Sequence, residues 1–287
     1  GCASAAIICH YLCNFDVDFE VYINNKKEHG VQDAFFERPY SGENIVIVVD
    51  SINDTMREYD IILNSGVDLV VLDHHIPSQE ILDNQEKIHL VSSANEYGNP
   101  HLSGSGVTWK FVKYLDFING TNIADNLVDL AAVGIIADVC SVGPDSMENR
   151  EICHMGFRNL QNCGIRAVVN ADEMIAESIG FSIGPLVNAA NRMNQNQLAL
   201  DLFLTDKFTE AKQIVKDLTK IKEEQKKLAA ELFENFETID ELVEFLNNEN
   251  ADKELVNYIL KLEDIEERAK KQGTEITTLE SLVEQRQ

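Results

Sequence analysis

Short apolar runs alternate with longer amphipathic stretches along the first 235 residues of the chain. Two runs, residues 45–49 and 69–72, are wholly apolar and rich in β-branched residues, which is typical of buried parallel strands. Stretches with helical periodicity lie between and after these runs. Strands that alternate with helices indicate an α/β fold with a parallel β-sheet flanked by helices. A long connecting helix and a small helical C-terminal region are predicted to follow.

Shorter elements complete the prediction. Turn-forming residues and changes of periodicity set their limits. Further strands are predicted at residues 19–23 and 88–91. Helices are predicted at residues 1–12, 53–64, 79–84, 104–117, 123–136, 148–162, 165–179 and 207–235.

Both principal strands run directly into residues that can bind a metal ion. Asp50 follows the first strand, and Asp73, His74 and His75 follow the second. Ligands bind beyond the carboxyl ends of strands in open α/β sheets. Carboxylates and imidazoles at one sheet edge would suit Mn²⁺, Zn²⁺ or Fe²⁺. The alternative is a strand-end turn with solvated imidazoles. This alternative is disfavoured because two neighbouring strands, and not one, end at an aspartate.

Three further stretches have two interpretations each. The small residues at 102–106 open a helix, so they form either a phosphate cradle or a plain turn with a helix N-cap. Asp138 follows an apolar helix and is either paired in the core or a metal ligand. Arg192, in the low-charge stretch 183–193, either pairs with a carboxylate or holds a phosphate.

Composition narrows the classes of function. The formal net charge is −25, which argues against a simple nucleic-acid-binding surface. A polyanionic substrate would therefore need bound metal and a few well-placed cations. The 6 cysteines form no CxxC pair, which predicts reduced thiols in a cytoplasmic protein. No apolar run reaches the ~20 residues of a membrane span, and no basic flank marks a signal peptide.

Taken together, these stretches resemble the DHH phosphoesterases, and within them the RecJ-like single-strand exonucleases. Asp73-His74-His75 is similar to the motif that names the family, and the strand end at Asp50 is similar to its second motif. The resemblance covers about residues 1–235. Its other matches are ADV at 137–139 with ENR at 148–150, HLSGSGVTWKF at 101–111, and IGPLVNAANRM at 183–193, which resembles GPRLNAAGRM.

The resemblance implies a division of the chain. A DHH phosphoesterase domain would cover residues 1–197, with a connecting helix at 198–235. Residues 236–287 would form an acidic helical tail or a replaced or truncated second domain. The family's DxDxDG motif would lie before Gly1, so the chain is expected to be N-terminally incomplete. The glycine-rich stretch of the family's DHHA1 domain does not occur in the sequence.

The resemblance also implies roles for individual residues. Two Mn²⁺ or Mg²⁺ ions would lie at the sheet edge, with Asp50 between them and His74 and Asp138 on the second ion. His75 would contact the scissile phosphate or the nucleophile, and Asp73 would orient an imidazole. The residues implied to bind substrate are Arg192, Asn188, Ser105 and Gly106.

Three functions follow as expectations. The first is a 5′-to-3′ exonuclease on single-stranded DNA in recombination and repair, favoured by the stretches at 104–111 and 183–193. The second is a phosphodiesterase for short oligonucleotides or cyclic dinucleotides, favoured by the missing DHHA1 stretch. The third is an inactive homologue that serves as a binding module in a replication complex, which the missing DxDxDG motif fits only if Gly1 is a true start and not a fragment edge. The expected partner is single-stranded DNA or a short oligonucleotide.

Overall fold

A computed structural model describes residues 1–24, 30–31, 44–95, 97–171 and 173–233, with side chains to residue 227. The strands are β1 (Ile45–Val49), β2 (Asp68–Asp73) and β3 (Leu90–Ser92). The helices are α1 (Cys2–Leu12), α2 (Arg57–Asn64), α3 (Gln79–Asp83), α4 (Gly104–Asn119), α5 (Val128–Ala137), α6 (Met147–Arg158), α7 (Cys163–Val169), α8 (Ala176–Ser178), α9 (Gly184–Arg192), α10 (Asn196–Leu204) and α11 (Phe208–Phe233).

The three strands form a parallel sheet in the order β1-β2-β3, which confirms the predicted α/β class. Val49 at the end of β1 pairs with Leu72, one residue before the end of β2. The Asp50 N–H then donates to the Leu72 carbonyl at 2.8 Å. This register places Asp50 and Asp73 beside each other at the carboxyl edge of the sheet.

Apolar side chains bury one face of β1 and β2. Leu69 and Val71 of β2 are fully buried, together with Tyr59 of α2. Helix α5 is apolar apart from the buried Asp129, and it packs against α1, α4 and α6. A helix that is apolar all round belongs inside a protein. Asp138 directly follows the C-terminal end of this helix.

The structure corrects two predictions of secondary structure. Residues 19–23 form no strand, since β1 pairs with β2 alone in the described sheet and strand-forming residues need a hydrogen-bonding partner. The helix predicted at 165–179 ends at Val169, because Asn170 adopts a left-handed conformation (φ 53°) that caps it. Helical structure resumes only at Ala176.

The chain divides into two units, Gly1–Thr219 and Lys220–Gln287. The boundary expected at residue 197 falls inside α10, whose Leu200 is fully buried, so this helix belongs to the first unit. The acidic region predicted at 236–287 lies outside the described residues. Within the described part, no helix is both long and apolar enough to cross a bilayer. All six cysteines are described, and all are free thiols.

Candidate metal centre

The ends of β1 and β2 bring a carboxylate and two imidazoles together. His74 Nε2 lies 3.3 Å from Asp50 Oδ1, and the two side chains are 20% and 8% exposed. Ligand atoms of Asp50, Asp73, His74 and His75 all lie within 4.8 Å of one another. Carboxylate oxygen and imidazole nitrogen are common ligands of divalent transition metals. The donor set therefore fits a divalent cation at the predicted sheet edge.

Asp73 is fully buried, and both of its oxygens are engaged with protein. Oδ1 accepts the backbone N–H groups of His74 and His75 at 2.6 and 2.8 Å, and it lies 2.6 Å from His75 Nδ1. Oδ2 accepts the backbone N–H of Ile52 at 2.8 Å. Asp73 therefore fixes the turn after β1, the turn after β2 and the ring of His75.

The electrostatic setting differs between the ligands. The hydrogen bond with Asp73 raises the pKa of His75 above its ordinary value of 6.5. Burial raises the pKa of Asp50, whereas the hydrogen bond with His74 lowers it.

Asp138 follows α5 and lines the same cavity as Asp50 and both histidines. Its N–H donates to the Gly134 carbonyl at 2.9 Å, which continues the helical hydrogen bonding. Desolvation and the charge of Asp50 raise the pKa of Asp138. The structure thus brings Asp138 to the cavity of the cluster, although it is not one of the four residues that meet within 4.8 Å.

The small-residue stretch at 102–106 forms a helix N-cap. Ser103 Oγ accepts the Gly106 N–H at 3.1 Å, so this backbone donor is engaged within α4. The Ser105 hydroxyl donates to the Ala131 carbonyl at 3.1 Å. Ser105 lines the cavity, whereas Gly106 is not among its lining residues in the described structure.

Two glycines, which the sequence analysis did not single out, allow the elements around the site to approach closely. A Cβ on Gly104 would meet Asp50 Oδ1 at 2.2 Å, and a Cβ on Gly134 would meet Ser105 Oγ at 2.0 Å. Real Cβ contacts do not occur at such distances. Gly104 therefore brings α4 against Asp50, and Gly134 brings α5 against α4. The sequence showed only that Gly104 opens the predicted helix that became α4, and that Gly134 lies within the predicted helix that became α5.

Helix α9 carries two of the residues predicted to bind substrate. Asn188 lines the cavity that contains Asp50 and the histidines. Arg192, one turn further along, is half-buried at the end of α9 and is not among the described lining residues. A π-helical turn, Ile179–Ile183, leads directly into α9. Such turns are frequent near functional sites.

A polar network anchors the loop that follows Asp138. Asn149 is fully buried, and its Nδ2 donates to the carbonyls of His101 and Ser141 at 2.7 and 2.8 Å. Its Oδ1 accepts a hydrogen bond from Asn99 at 2.9 Å. The sequence showed Asn149 only as the middle of the ENR stretch. The structure shows that it ties the segment after Asp138 to the segment before α4.

Comparison with known proteins agrees with this geometry. Residues 1–135 match the model of the DHH family, N-terminal domain. The matching region contains both acid-tipped strands and the Asp73-His74-His75 motif. Over these residues the chain is therefore similar to the DHH family.

Among the proteins of this family, the chain is similar to RecJ exonucleases. It is 25% identical over 264 residues to the single-stranded-DNA-specific exonuclease RecJ of Bacillus subtilis, a match that covers 88% of this chain and 32% of that protein. The chain thus spans about a third of the length of this curated relative.

Two solved structures share the fold. A crystal structure of exonuclease RecJ bound to manganese superposes with a TM-score of 0.68 at 24% identity, over 82% of this chain and 62% of that one. RecJ from Thermus thermophilus in complex with Mn²⁺ gives a TM-score of 0.67 at 24% identity, over 82% of this chain and 35% of that one.

Proposed function

We propose that this protein hydrolyses phosphodiester bonds with divalent metal held at the carboxyl edge of its sheet. The observation that carries the proposal is the meeting of Asp50, His74 and His75 at the ends of two adjacent parallel strands. Similarity to the DHH family over residues 1–135 and likeness to RecJ exonucleases support a hydrolase of the nuclease type.

Asp50, His74 and Asp138 are proposed to hold the metal. Asp50 and Asp138 supply carboxylates to one cavity, and His74 supplies an imidazole against Asp50. Two Mn²⁺ or Mg²⁺ ions would generate a nucleophile from water and stabilise the charge that develops on the phosphate. The two solved RecJ structures that contain manganese support this choice of ions.

His75 is proposed to contact the scissile phosphate. Its Nδ1 is engaged with Asp73, so Nε2 is the ring nitrogen that would meet the substrate. Asp73 raises the pKa of His75, which favours the protonated ring that donates to a phosphate oxygen. Asp73 itself acts by positioning the ring, since its own oxygens are all occupied.

The substrate is proposed to be single-stranded DNA, degraded from its 5′ end during recombination and repair in the cytoplasm. The Bacillus subtilis relative is named a single-stranded-DNA-specific exonuclease. Asn188 reaches the cavity and is proposed to hold a downstream phosphate, with Arg192 on the same helix. Because the net charge is −25, bound metal would supply much of the attraction for the polyanion.

The test uses the full-length natural protein and single-stranded DNA labelled at either end, with Mn²⁺ present. We expect progressive loss of the strand from its 5′ end by the wild type. His74→Ala is expected to abolish hydrolysis, whereas His154→Ala, at an exposed position on α6, is expected to retain it. Full activity of His74→Ala would contradict the metal assignment.

A dinucleotide assayed in parallel separates the substrates. Cleavage of the dinucleotide alone would favour a phosphodiesterase for short oligonucleotides. Cleavage of neither substrate by the wild type would favour a binding module and overturn the proposed hydrolysis.

A further inference from the structure

A buried amide oxygen in the wall of the cavity around the metal centre lacks a hydrogen-bond partner. Asn196 is the first residue of α10, it is 7% exposed, and it lines the same cavity as Asp50 and His74. Its Oδ1 is buried and has no hydrogen-bond partner among the described residues. Buried polar atoms in native proteins are almost always hydrogen-bonded. A donor from a bound molecule would satisfy this atom.

The orientation of the Asn196 amide is fixed through its nitrogen. Nδ2 donates a hydrogen bond to the backbone carbonyl of Asn24. A carbonyl oxygen only accepts, so the amide cannot be turned round without losing this bond. Oδ1 is therefore the amide atom that remains for a molecule in the cavity. Because Oδ1 only accepts, that molecule must offer an N–H or O–H group, which an ionised phosphodiester does not have.

A chain of three hydrogen bonds connects Asn196 with the end of β1. After the bond from Asn196 to the Asn24 carbonyl, Asn24 Nδ2 donates to the Gly30 carbonyl at 2.9 Å. The Gly30 N–H then donates to Ser51 Oγ at 2.9 Å. Ser51 directly follows Asp50. The unsatisfied acceptor is thus joined to the strand end that carries the metal ligand Asp50, and both line one cavity.

The cavity wall offers neutral amides and no cation. Asn188 and Asn191 of α9 line it together with Asn196, and no Lys or Arg is among its described lining residues. Phosphate groups are bound most strongly by cations, whereas amides match the N–H and C=O groups on the edges of nucleobases. The amide wall therefore suits the uncharged parts of a nucleotide, and bound metal at Asp50 suits the phosphate.

We propose that Asn196 Oδ1 accepts a hydrogen bond from a nucleobase N–H of the strand whose phosphodiester lies at the metal centre. This inference rests on the proposed function, which makes the ligand single-stranded DNA. The interior of a DNA strand carries no hydroxyl group, so its donors are the N–H groups of the bases. Each of the four bases has such a group, and a single strand leaves its base edges open. The contact therefore recognises the presence of a base in any sequence.

The test measures cleavage of two labelled strands of equal length by the full-length natural protein with Mn²⁺. One strand is built from thymidine, whose base has its N–H at N3, and the other from N3-methylthymidine, whose base has none. We expect the wild type to show a KM about tenfold higher on the methylated strand, with kcat nearly unchanged. Equal KM on the two strands would overturn the contact. This comparison needs no variant.

Asn196→Ala assigns the acceptor. The variant is expected to raise KM about tenfold on the thymidine strand and to remove the difference between the two strands. A variant that only weakened the fold would raise KM on both strands alike and keep their ratio. That result, in protein shown to be folded by circular dichroism, would overturn the assignment to Asn196.

The matched control is Asn159→Ala. Asn159 Nδ2 also donates to a distant backbone carbonyl, that of Asp125 at 2.8 Å, but Asn159 is not among the described residues that line the cavity. This variant should keep the wild-type ratio of KM between the strands. If the wild type cleaves neither strand, the proposed function fails and the contact fails with it. If it cleaves both with equal KM, the contact alone fails.

Discussion

At the scale of single residues, Asp73 is the member of the DHH motif with the most constrained surroundings. Oδ1 accepts hydrogen bonds from the backbone N–H groups of both histidines. Oδ2 accepts one from the backbone N–H of Ile52, in the turn after Asp50. A buried carboxylate that accepts several N–H groups holds the segments that donate them in fixed positions. Asp73 thus couples the two strand ends, and the geometry of the metal centre depends on it.

Asp73→Asn should therefore disturb both stability and the titration of His75. The asparagine side chain has one acceptor oxygen, so it cannot accept the N–H groups that bind the two oxygens of Asp73. We therefore expect a loss of about 2–3 kcal/mol in the free energy of unfolding. The pKa of His75, measured by NMR in the metal-free protein, should lie above 6.5 in the wild type and fall in the variant. Asp145→Asn, at an exposed carboxylate, is the control.

The contribution of the Asp73–His75 pair to the free energy of unfolding should fall as the pH rises. Since the folded protein raises the pKa of His75, the contribution of the pair is complete below the ordinary pKa of 6.5. It is lost as pH rises through the raised value. A wild-type His75 pKa at or below 6.5 would contradict the proposed Asp73–His75 coupling.

Gly104 provides a second prediction at the residue scale. Because a Cβ there would lie 2.2 Å from Asp50 Oδ1, Gly104→Ala must displace the carboxylate. We expect Mn²⁺ binding, measured by calorimetry, to weaken by about tenfold or more. Gly98→Ala is the matched control, because no atom lies within 4 Å of the added Cβ. Equal affinity in the two variants would remove Gly104 from the metal centre.

The sequence predicted the chemistry of the strand ends more readily than their surroundings. Asp50 and His74 could be found because each follows an apolar run of strand length, and parallel strands end at one edge. The importance of Gly104 could not be found, because a close approach between a helix and a distant carboxylate leaves no local pattern. The N-cap at Ser103 was one of two open interpretations, and only the hydrogen bond to Gly106 decided between them.

At the scale of elements, the site depends on how α5 and α6 hold the loop between them. Asp138 lies at one end of this loop, and Asn149 fixes it from the other side through the Ser141 carbonyl. The same amide nitrogen holds the His101 carbonyl before α4. Asn149 thus connects the loop that carries Asp138 with the segment that leads to Gly104.

Asn149→Ala should weaken both the fold and the metal site. Truncation removes three hydrogen bonds from a fully buried side chain, and we expect a cost of about 2–4 kcal/mol in the free energy of unfolding. Mn²⁺ affinity should fall as well, because the loop after Asp138 loses its anchor. Arg150→Ala, at the exposed neighbouring position, should change neither quantity. Wild-type Mn²⁺ affinity in a folded Asn149→Ala protein would argue against this anchoring.

Strands could be predicted from the sequence where an apolar run of strand length also has a neighbouring strand with which to pair. The strand at Ile45–Val49 was predicted with its observed limits, because the whole apolar run pairs with β2. Residues 19–23 also contain strand-forming Val21 and Ile23 and form no strand, since pairing is a tertiary property. The break after Val169 depends on the backbone of Asn170, and an asparagine inside an amphipathic pattern does not mark such a break by itself.

At the scale of the whole molecule, the net charge of −25 opposes the proposed substrate. Binding of single-stranded DNA should therefore depend on divalent metal. We expect fluorescence anisotropy to show little binding after EDTA treatment and clear binding once Mn²⁺ is restored. Because few Lys and Arg side chains would neutralise phosphates, the salt dependence should be shallow. Equal binding with and without metal would place the DNA on a surface away from the sheet edge.

The most direct test of the central claim is calorimetric titration of Mn²⁺ into the wild type, His74→Ala and His154→Ala. The strand-end geometry predicts that His74→Ala weakens binding by about tenfold or more, while His154→Ala, on the exposed face of α6, binds as the wild type does. Circular dichroism confirms that each variant is folded before titration. Unchanged Mn²⁺ affinity in folded His74→Ala would contradict the assignment of the metal centre to the ends of β1 and β2.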